Sequence, residues 1–374
     1  MAAPTEEQTL LRDAARAWTQ DRSPVSALRR VRDAGGYLGF DAAQWREMVE
    51  MGWAGVVIPE AYGGSDFGYR GLGLILEETG RTLTASPLLA CALTATALML
   101  GGSDAQKDRW LPKIAAGEVV GALAIDEGAH HGPDQTALTA TNTGGGYVLT
   151  GAKTFVMEGM AADLLVVAAR AAGRPGEIAG TSLFLVAADA PGVSRTPLKL
   201  ADARGYAQLA FDKVEVESDA LLAGGHHTLE QTLDRARAGL SAEMLGAASQ
   251  AFEVTLDYLK TRRQFGQLIG SFQALQHRAA KMYAELELSR SAVEAALIAI
   301  DDDARKAPEL VSLAKARIGE TLHLISDEMV QMHGGIGMTD EHDAGLYLKR
   351  ARVAEAAFGG QTYHRDRYAV IHGY

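Results

Sequence analysis

A chain of 374 residues is too long for one small core and accommodates two or three tightly joined domains. Its 47% hydrophobic and 22% charged residues are those of an ordinary globular protein, and 47 acidic against 36 basic residues give a net charge of -11, which argues against nucleic-acid binding. The single cysteine, Cys91, excludes an intrachain disulfide and reads as a buried structural thiol, and no cluster has metal-ligand spacing.

The acidic N-terminus, MAAPTEEQ, turns helical at once and lacks the basic-then-apolar order of a secretory signal. Leu88–Leu100 is rich in Ala and Leu but too short for a membrane span, so a cytoplasmic protein with no membrane partner is expected. Apolar residues at three-to-four spacing predict helices over Thr9–Trp18, Ala42–Met51, Tyr69–Thr82, Pro87–Leu100 and Asp104–Ala115. From Val119 the period changes, and β-formers over Gly121–Ile125, Tyr147–Val156, Leu164–Ala169, Ser182–Ala187 and Gln208–Val216 alternate with Gly- and Pro-rich turns. No helix-length segment intervenes, so this section reads as a compact antiparallel β domain. Long helices return over Asp234–Arg262, Gln273–Ala304 and Glu309–Met332, as in a helical bundle. The expected organisation is α+β: an N-terminal helical domain over 1–117, a central antiparallel β domain over 118–225, and a C-terminal four-helix bundle over 226–374.

Four motifs in this order carry a resemblance. They are Gly52-Trp53-Ala54-Gly55 with Ile58-Pro59-Glu60 and Tyr62-Gly63-Gly64; Leu149-Thr150-Gly151-Ala152-Lys153; Thr261-Arg262-Arg263-Gln264-Phe265-Gly266 with Ser271-Phe272-Gln273-Ala274; and Gln331-Met332-His333-Gly334-Gly335-Ile336-Gly337. Together they resemble the acyl-CoA dehydrogenase family over nearly the whole chain. The resemblance implies FAD as cofactor, an acyl-CoA substrate, electron-transferring flavoprotein as acceptor and an oligomer, because the cofactor is shared between subunits. Arg262 carries over as the guanidinium that reaches the pyrophosphate, a role suited to its paired donors. Phe265 would pack on the adenosine side, and Gln273 would contact the cofactor where subunits meet. Gln331, Gly334 and Gly335 carry over as the adenine and pyrophosphate contacts, glycine allowing close backbone approach.

The chain also departs from the family. The family removes a proton α to the thioester with a carboxylate placed at one of two positions. Here these are occupied by Phe358 and by Ala236, beside Arg237, and neither can take a proton. Glu355 lies three residues before the first position and reads as a surface or helix-capping group. Glu243 is the nearby substitute: Ala236, Leu240 and Glu243 share a helix face that lines the acyl cavity in the family, although seven residues is about 10 Å along the axis. Glu243 therefore reads either as the catalytic base or as an ion pair with Arg237 or another basic group. Arg237, Leu240 and Phe358 are the candidate substrate contacts. In the β domain the usual flavin-contacting run is replaced by Ile125-Asp126-Glu127-Gly128-Ala129-His130-His131-Gly132, and Phe155 and Met157 stand where Trp and Thr flank the ring. Phe155 can stack, Met157 offers only backbone, and Ile125 borders the ring. His130 and His131 read as an exposed loop pair without partners.

Three functions follow. The first is an FAD-dependent dehydrogenase forming a 2,3-double bond in a bulky or steroid-derived acyl-CoA, as a homotetramer. The second is a partner subunit in a heterotetramer with a second acyl-CoA dehydrogenase-like chain that supplies the base. The chain's length and its Met338–Asp343 segment resemble the smaller chains of bacterial steroid-type members. The third is a flavin monooxygenase, or a silent binding protein, on the same fold.

Overall fold

A computed structural model of the chain describes residues 5–374, so the first four residues of the N-terminal segment lie outside the described residues. The N-terminal helices are α1 (Glu6–Arg22), α2 (Val25–Ala34), α3 (Ala42–Glu50), α4 (Gly68–Arg81), α5 (Leu88–Gly101) and α6 (Asp104–Ala115). The strands that follow are β1 (Gly121–Ala124), β2 (Thr139–Asn142), β3 (Gly146–Met157), β4 (Leu164–Arg170), β5 (Thr181–Ala187), β6 (Val193–Leu198), β7 (Tyr206–Glu217) and β8 (Leu221–Leu222). The C-terminal elements are α7 (His226–Thr261), the short strands β9 (Arg263–Gln264) and β10 (Gln267–Leu268), α8 (Gln273–Asp301), α9 (Ala307–His333), α10 (Ala344–Ala356) and α11 (Gln361–Ile371). Among the described residues no helix is long and apolar enough to cross a membrane.

The chain divides into two compact units that do not follow chain order. One comprises residues 30–68 and 85–236, and the other, among the described residues, residues 5–29, 69–84 and 237–374.

The first unit is built on an eight-stranded sheet in the order β6-β7-β3-β2-β4-β5-β8, with β1 paired to β4 off that path. The pairing is mostly antiparallel, as expected, but β1 runs parallel to β4 and β2 touches β4 in parallel. Leu149, Leu165, Val167, Phe184, Leu209 and Phe211 fill its core. Three strands of this sheet escape the sequence pattern for physical reasons, β8 because it is only two residues long. β2 is four residues with one buried position, and β6 carries Pro197, which an edge strand tolerates because it need not donate to a neighbour on both sides. Helix α5 is apolar all round and buried along nearly its whole length. It crosses β1 so closely that a Cβ at Gly121 would lie 2.3 Å from Thr94 Oγ1.

The second unit is helical. Thr5 caps α1 in a reciprocal capping box with Gln8, satisfying two donors that the first turn leaves open. Asp301, at the end of α8, accepts from the backbone N–H of Tyr69 (2.6 Å) and Arg70 (2.8 Å) and so caps α4. Helices α4 and α7 touch backbone to backbone. A Cβ at Gly80 would lie 2.0 Å from the Glu243 carbonyl, and one at Gly246 only 1.8 Å from that of Glu77. Arg290 of α8 ties the crossing by donating to Glu77 (2.7 Å) and to Ser249 Oγ (3.1 Å).

Candidate functional site

The α4–α7 crossing fixes the stretch of α7 that carries Glu243. Its two carboxylate oxygens accept from Arg350 of α10, Nε at 2.9 Å and Nη2 at 3.1 Å. Both side chains are buried, at 6% and 3% exposure. The pairing basic group left open by the sequence is therefore Arg350, 107 residues away. Leu240, one turn earlier, is fully buried, as are Ala236 and Arg237.

Arg237 points toward the junction of α10 and α11. Its Nη2 donates to Tyr363 Oη at 3.1 Å and its Nε to the Phe358 carbonyl at 3.4 Å. Phe358, half-buried, has φ +56 and is followed by Gly359 at φ +101. The left-handed turn leaves no room for a side chain at Gly359, where a Cβ would meet Tyr363 Cδ1 at 2.4 Å. His364 Nε2 also donates to the Phe358 carbonyl, at 3.1 Å. Burial among Arg237, Lys315 and Arg367 pushes the His364 pKa down to about 2, so the ring is neutral.

Sequence reasoning passed over Lys315 of α9. Its ammonium is buried and donates to three carbonyls: Ala354 (3.1 Å), Glu355 (3.0 Å) and Gly359 (3.1 Å). Burial lowers its pKa to about 7; Glu355 opposes the shift, while Arg237 and Arg350 reinforce it. The available signal was a lysine between alanines on a helix whose neighbouring positions are apolar. The Glu355 carboxylate accepts from Arg352 at 3.0 Å and lies 3.1 Å from His323 Nδ1, on a polar cleft also lined by Asp327 and Gln361.

Six candidate cofactor residues gather at one end of the helical unit. The Tyr258 and His333 rings meet in a tilted pair with centroids 4.3 Å apart, which joins the end of α7 to the end of α9. Arg278 near the start of α8 pairs with Glu328 of α9. Arg262 follows α7, and Gln273 opens α8. The β9–β10 hairpin between them turns through Phe265 (φ +53) and Gly266 (φ +79), the left-handed pair of a two-residue hairpin turn. Arg262, Phe265, Gln273, Gln331, Gly334 and Gly335 are all exposed, Phe265 at 89%. Beside Gly334 and Gly335 the space for a Cβ is open.

The remaining three sit in the sheet unit. A register shift in β3 between Lys153 and Val156 puts Phe155 at φ +52 and leaves its ring 43% exposed. Met157 is half-buried opposite Tyr206. The Ile125 carbonyl accepts from buried Lys153 Nζ at 2.8 Å, and Glu127 accepts from the same ammonium at 2.7 Å. Glu127 also accepts from the backbone N–H of Ala137 and Leu138, both at 2.9 Å. The expectation for the histidine pair needs correction. His130 is exposed, but the His131 side chain is 2% exposed and lies 2.9 Å from Asp126, because Asp126 folds the loop by also accepting from Gly132 N–H.

These donor sets fit FAD. A guanidinium, two carboxamides and open glycine backbone suit a pyrophosphate and adenine. In the sheet unit the exposed Phe155 ring suits the face of a tricyclic ring.

Comparison with known proteins covers nearly the whole chain. Residues 5–118, 122–217 and 223–370 match the N-terminal, middle and C-terminal domains described for acyl-CoA dehydrogenases. Acyl-CoA dehydrogenase FadE12 of Mycobacterium tuberculosis is 31% identical over 94% of this chain and 92% of its own length. IpdE2 of the same organism is 32% identical over 93% and 92%. The ChsE4-ChsE5 complex from Mycobacterium tuberculosis superposes with a TM-score of 0.91 at 28% identity, covering 99% of this chain and 98% of the other. A steroid ACAD, Tcur3481-Tcur3483, superposes at 0.89 with 32% identity, covering 98% and 97%.

Proposed function

The chain belongs to the acyl-CoA dehydrogenase family, and from that premise we propose that it is one subunit of an FAD-dependent enzyme forming a 2,3-double bond in a bulky, steroid-derived acyl-CoA, its base supplied by a second acyl-CoA dehydrogenase-like chain. The observation that carries this reading is the Glu243–Arg350 pair. A buried carboxylate whose two oxygens both accept charge-assisted hydrogen bonds is stabilised as the anion and is a weak proton acceptor. With Phe358 and Ala236 at the two family positions, the α-proton leaves to a carboxylate from outside this chain. The names of the similar solved structures, a two-component complex and a steroid ACAD, support the same reading.

In this proposal Arg262, Gln273, Gln331, Gly334 and Gly335 hold the pyrophosphate and adenine, with Phe265 packed beside them. Phe155 stacks on the flavin ring, and Ile125 and Met157 border it through backbone. FAD held there would supply the acceptor for the hydride of the substrate β carbon, with electron-transferring flavoprotein as the onward acceptor. Arg237, Leu240 and Phe358 shape the acyl side. The assembly is a cytoplasmic heterotetramer.

The test is co-purification with a second family chain, followed by acyl-CoA titration of the flavin absorbance. The mixed assembly should bleach with a ring-bearing acyl-CoA, and this chain alone should not turn over. Because a lone Glu243→Gln would strand Arg350, the base question is asked with the pair Glu243→Leu/Arg350→Met, which removes both charges together. In a flavin-loaded assembly it should keep its rate within about tenfold. A loss of about a thousandfold or more would make Glu243 the base, and turnover by this chain alone would end the two-chain reading.

A further inference from the structure

The turn between α10 and α11 is held by its carbonyls. Three of them, from Ala354, Glu355 and Gly359, converge on the Lys315 ammonium at 3.0–3.1 Å. A fourth, from Phe358, receives His364 Nε2 at 3.1 Å and Arg237 Nε at 3.4 Å. Lys315 is 1% exposed and His364 0%. The last turn of a helix leaves carbonyls without intrahelical partners, and a buried carbonyl left bare is destabilising. Here one lysine satisfies two carbonyls near the end of α10 and one beyond the turn. It thereby spans the residue that stands where the family keeps a carboxylate.

Such a turn differs from an ordinary loop in one way. Moving Phe358 means withdrawing carbonyls from a buried cation. We propose that Lys315 is a positioning residue that freezes the 354–360 turn, so that Phe358 forms a fixed wall of the acyl site and acyl-CoA substrates are selected by shape. The selectivity half of this inference rests on the reading of Phe358 as an acyl contact; the freezing of the turn does not. A fixed wall rejects an ill-fitting acyl group by the cost of displacing the turn. A mobile one accommodates it.

Two measurements test the idea. Amide hydrogen exchange of residues 354–360 should quicken by about tenfold or more in Lys315→Met while α8 stays protected. In the flavin-loaded mixed assembly, the same variant should lower the kcat/KM ratio between the best and worst acyl-CoA thioesters by about tenfold, through KM for the poor substrates rather than kcat for the good one. If Lys315→Met does not fold, the wild-type chain decides. Opening the turn frees Lys315 from burial, so raising pH from 6 to 8.5, through its folded pKa of about 7, disfavours that opening, and exchange in 354–360, corrected for its intrinsic pH dependence, should slow relative to α8. The charged and titratable groups around Lys315 in that range are Arg237 on α7, Arg350 and Glu355 on α10, and His364 and Arg367 on α11. Unchanged exchange in both experiments would overturn the role of Lys315. Quickened exchange in Lys315→Met with an unaltered selectivity ratio would overturn the wall. If no acyl-CoA perturbs the flavin of the wild-type assembly, the acyl-site reading fails with it, while the exchange result still judges Lys315.

Discussion

Lys153 in the sheet unit and Lys315 in the helical unit are both almost completely buried, and burial lowers the pKa of each. They are held differently. Lys153 faces a carboxylate, Glu127 at 2.7 Å, and one carbonyl. Lys315 faces three carbonyls, and the nearby guanidinium groups of Arg237 and Arg350 oppose its charge. One is a paired ion; the other is a cation whose direct partners are main-chain dipoles, with Glu355 supporting it through the field, and its pKa is lowered to about 7. Residue type and burial are the same, so the difference lies in the partner, a carboxylate in direct contact for Lys153 and main-chain carbonyls for Lys315.

The largest expected effect breaks the paired ion. Lys153→Met leaves Glu127 against the strand with only backbone donors, and should cost about 3–5 kcal/mol in urea unfolding. Lys153→Met/Glu127→Gln should recover part of that loss, because no uncompensated charge remains. If the single and double variants are equally unstable, Lys153 contributes through packing and not through the pair.

Next comes the pH dependence, where the dipole-held lysine should show itself. The folded pKa of Lys315 is about 7 against an ordinary value of 10.5, so the unfolded chain binds more protons between those limits. Its contribution is full above pH 10.5 and is lost as pH falls toward 7, with a slope of up to about 1.4 kcal/mol per pH unit. His364 acts in the acid range: with a folded pKa of about 2 against 6.5, its contribution is full above pH 6.5 and is lost as pH falls below it. Thermal unfolding across pH 5 to 9 should therefore show both arms. Lys315→Met should flatten the alkaline arm alone, and His364→Gln the acid arm alone. A Lys315→Met profile that still rises above pH 7 as the wild type does would remove the distinction between the two lysines.

The parts of the molecule legible in the sequence are those with local signatures. The three long helices and the principal strands follow from period, and α5 from its apolar composition. Helix α2 is short with few buried positions, while α10 and α11 have weak amphipathic contrast. None of these three declares itself by spacing. At the candidate site, Arg262, Phe265 and Gly334 stand in motifs that mark their places. The guanidinium facing Glu243 does not, because Arg350 lies on another helix and nothing local couples the two. Lys315 was equally hidden: its partners are main-chain atoms, which leave no trace in residue identity. The division of the chain into units is hidden for the same reason, since α1 and α4 join the C-terminal helices through contacts far apart in sequence.

The smallest expected effect sharpens the comparison most. The Glu355 carboxylate favours the charged form of Lys315, and it acts through the field, since the ammonium touches its backbone carbonyl. Its side chain is held on the cleft by Arg352 and His323. Glu355→Gln keeps the carbonyl and removes the charge. The ammonium then loses the field of that carboxylate while keeping all three hydrogen bonds, so its pKa should fall further. The alkaline arm should begin at lower pH, displaced by on the order of half a pH unit, the scale of a screened charge beyond direct contact. Exchange in 354–360 at pH 6 should change little, because the carbonyls keep their donor. An arm that does not move would mean that the carbonyl cage alone sets the titration of Lys315.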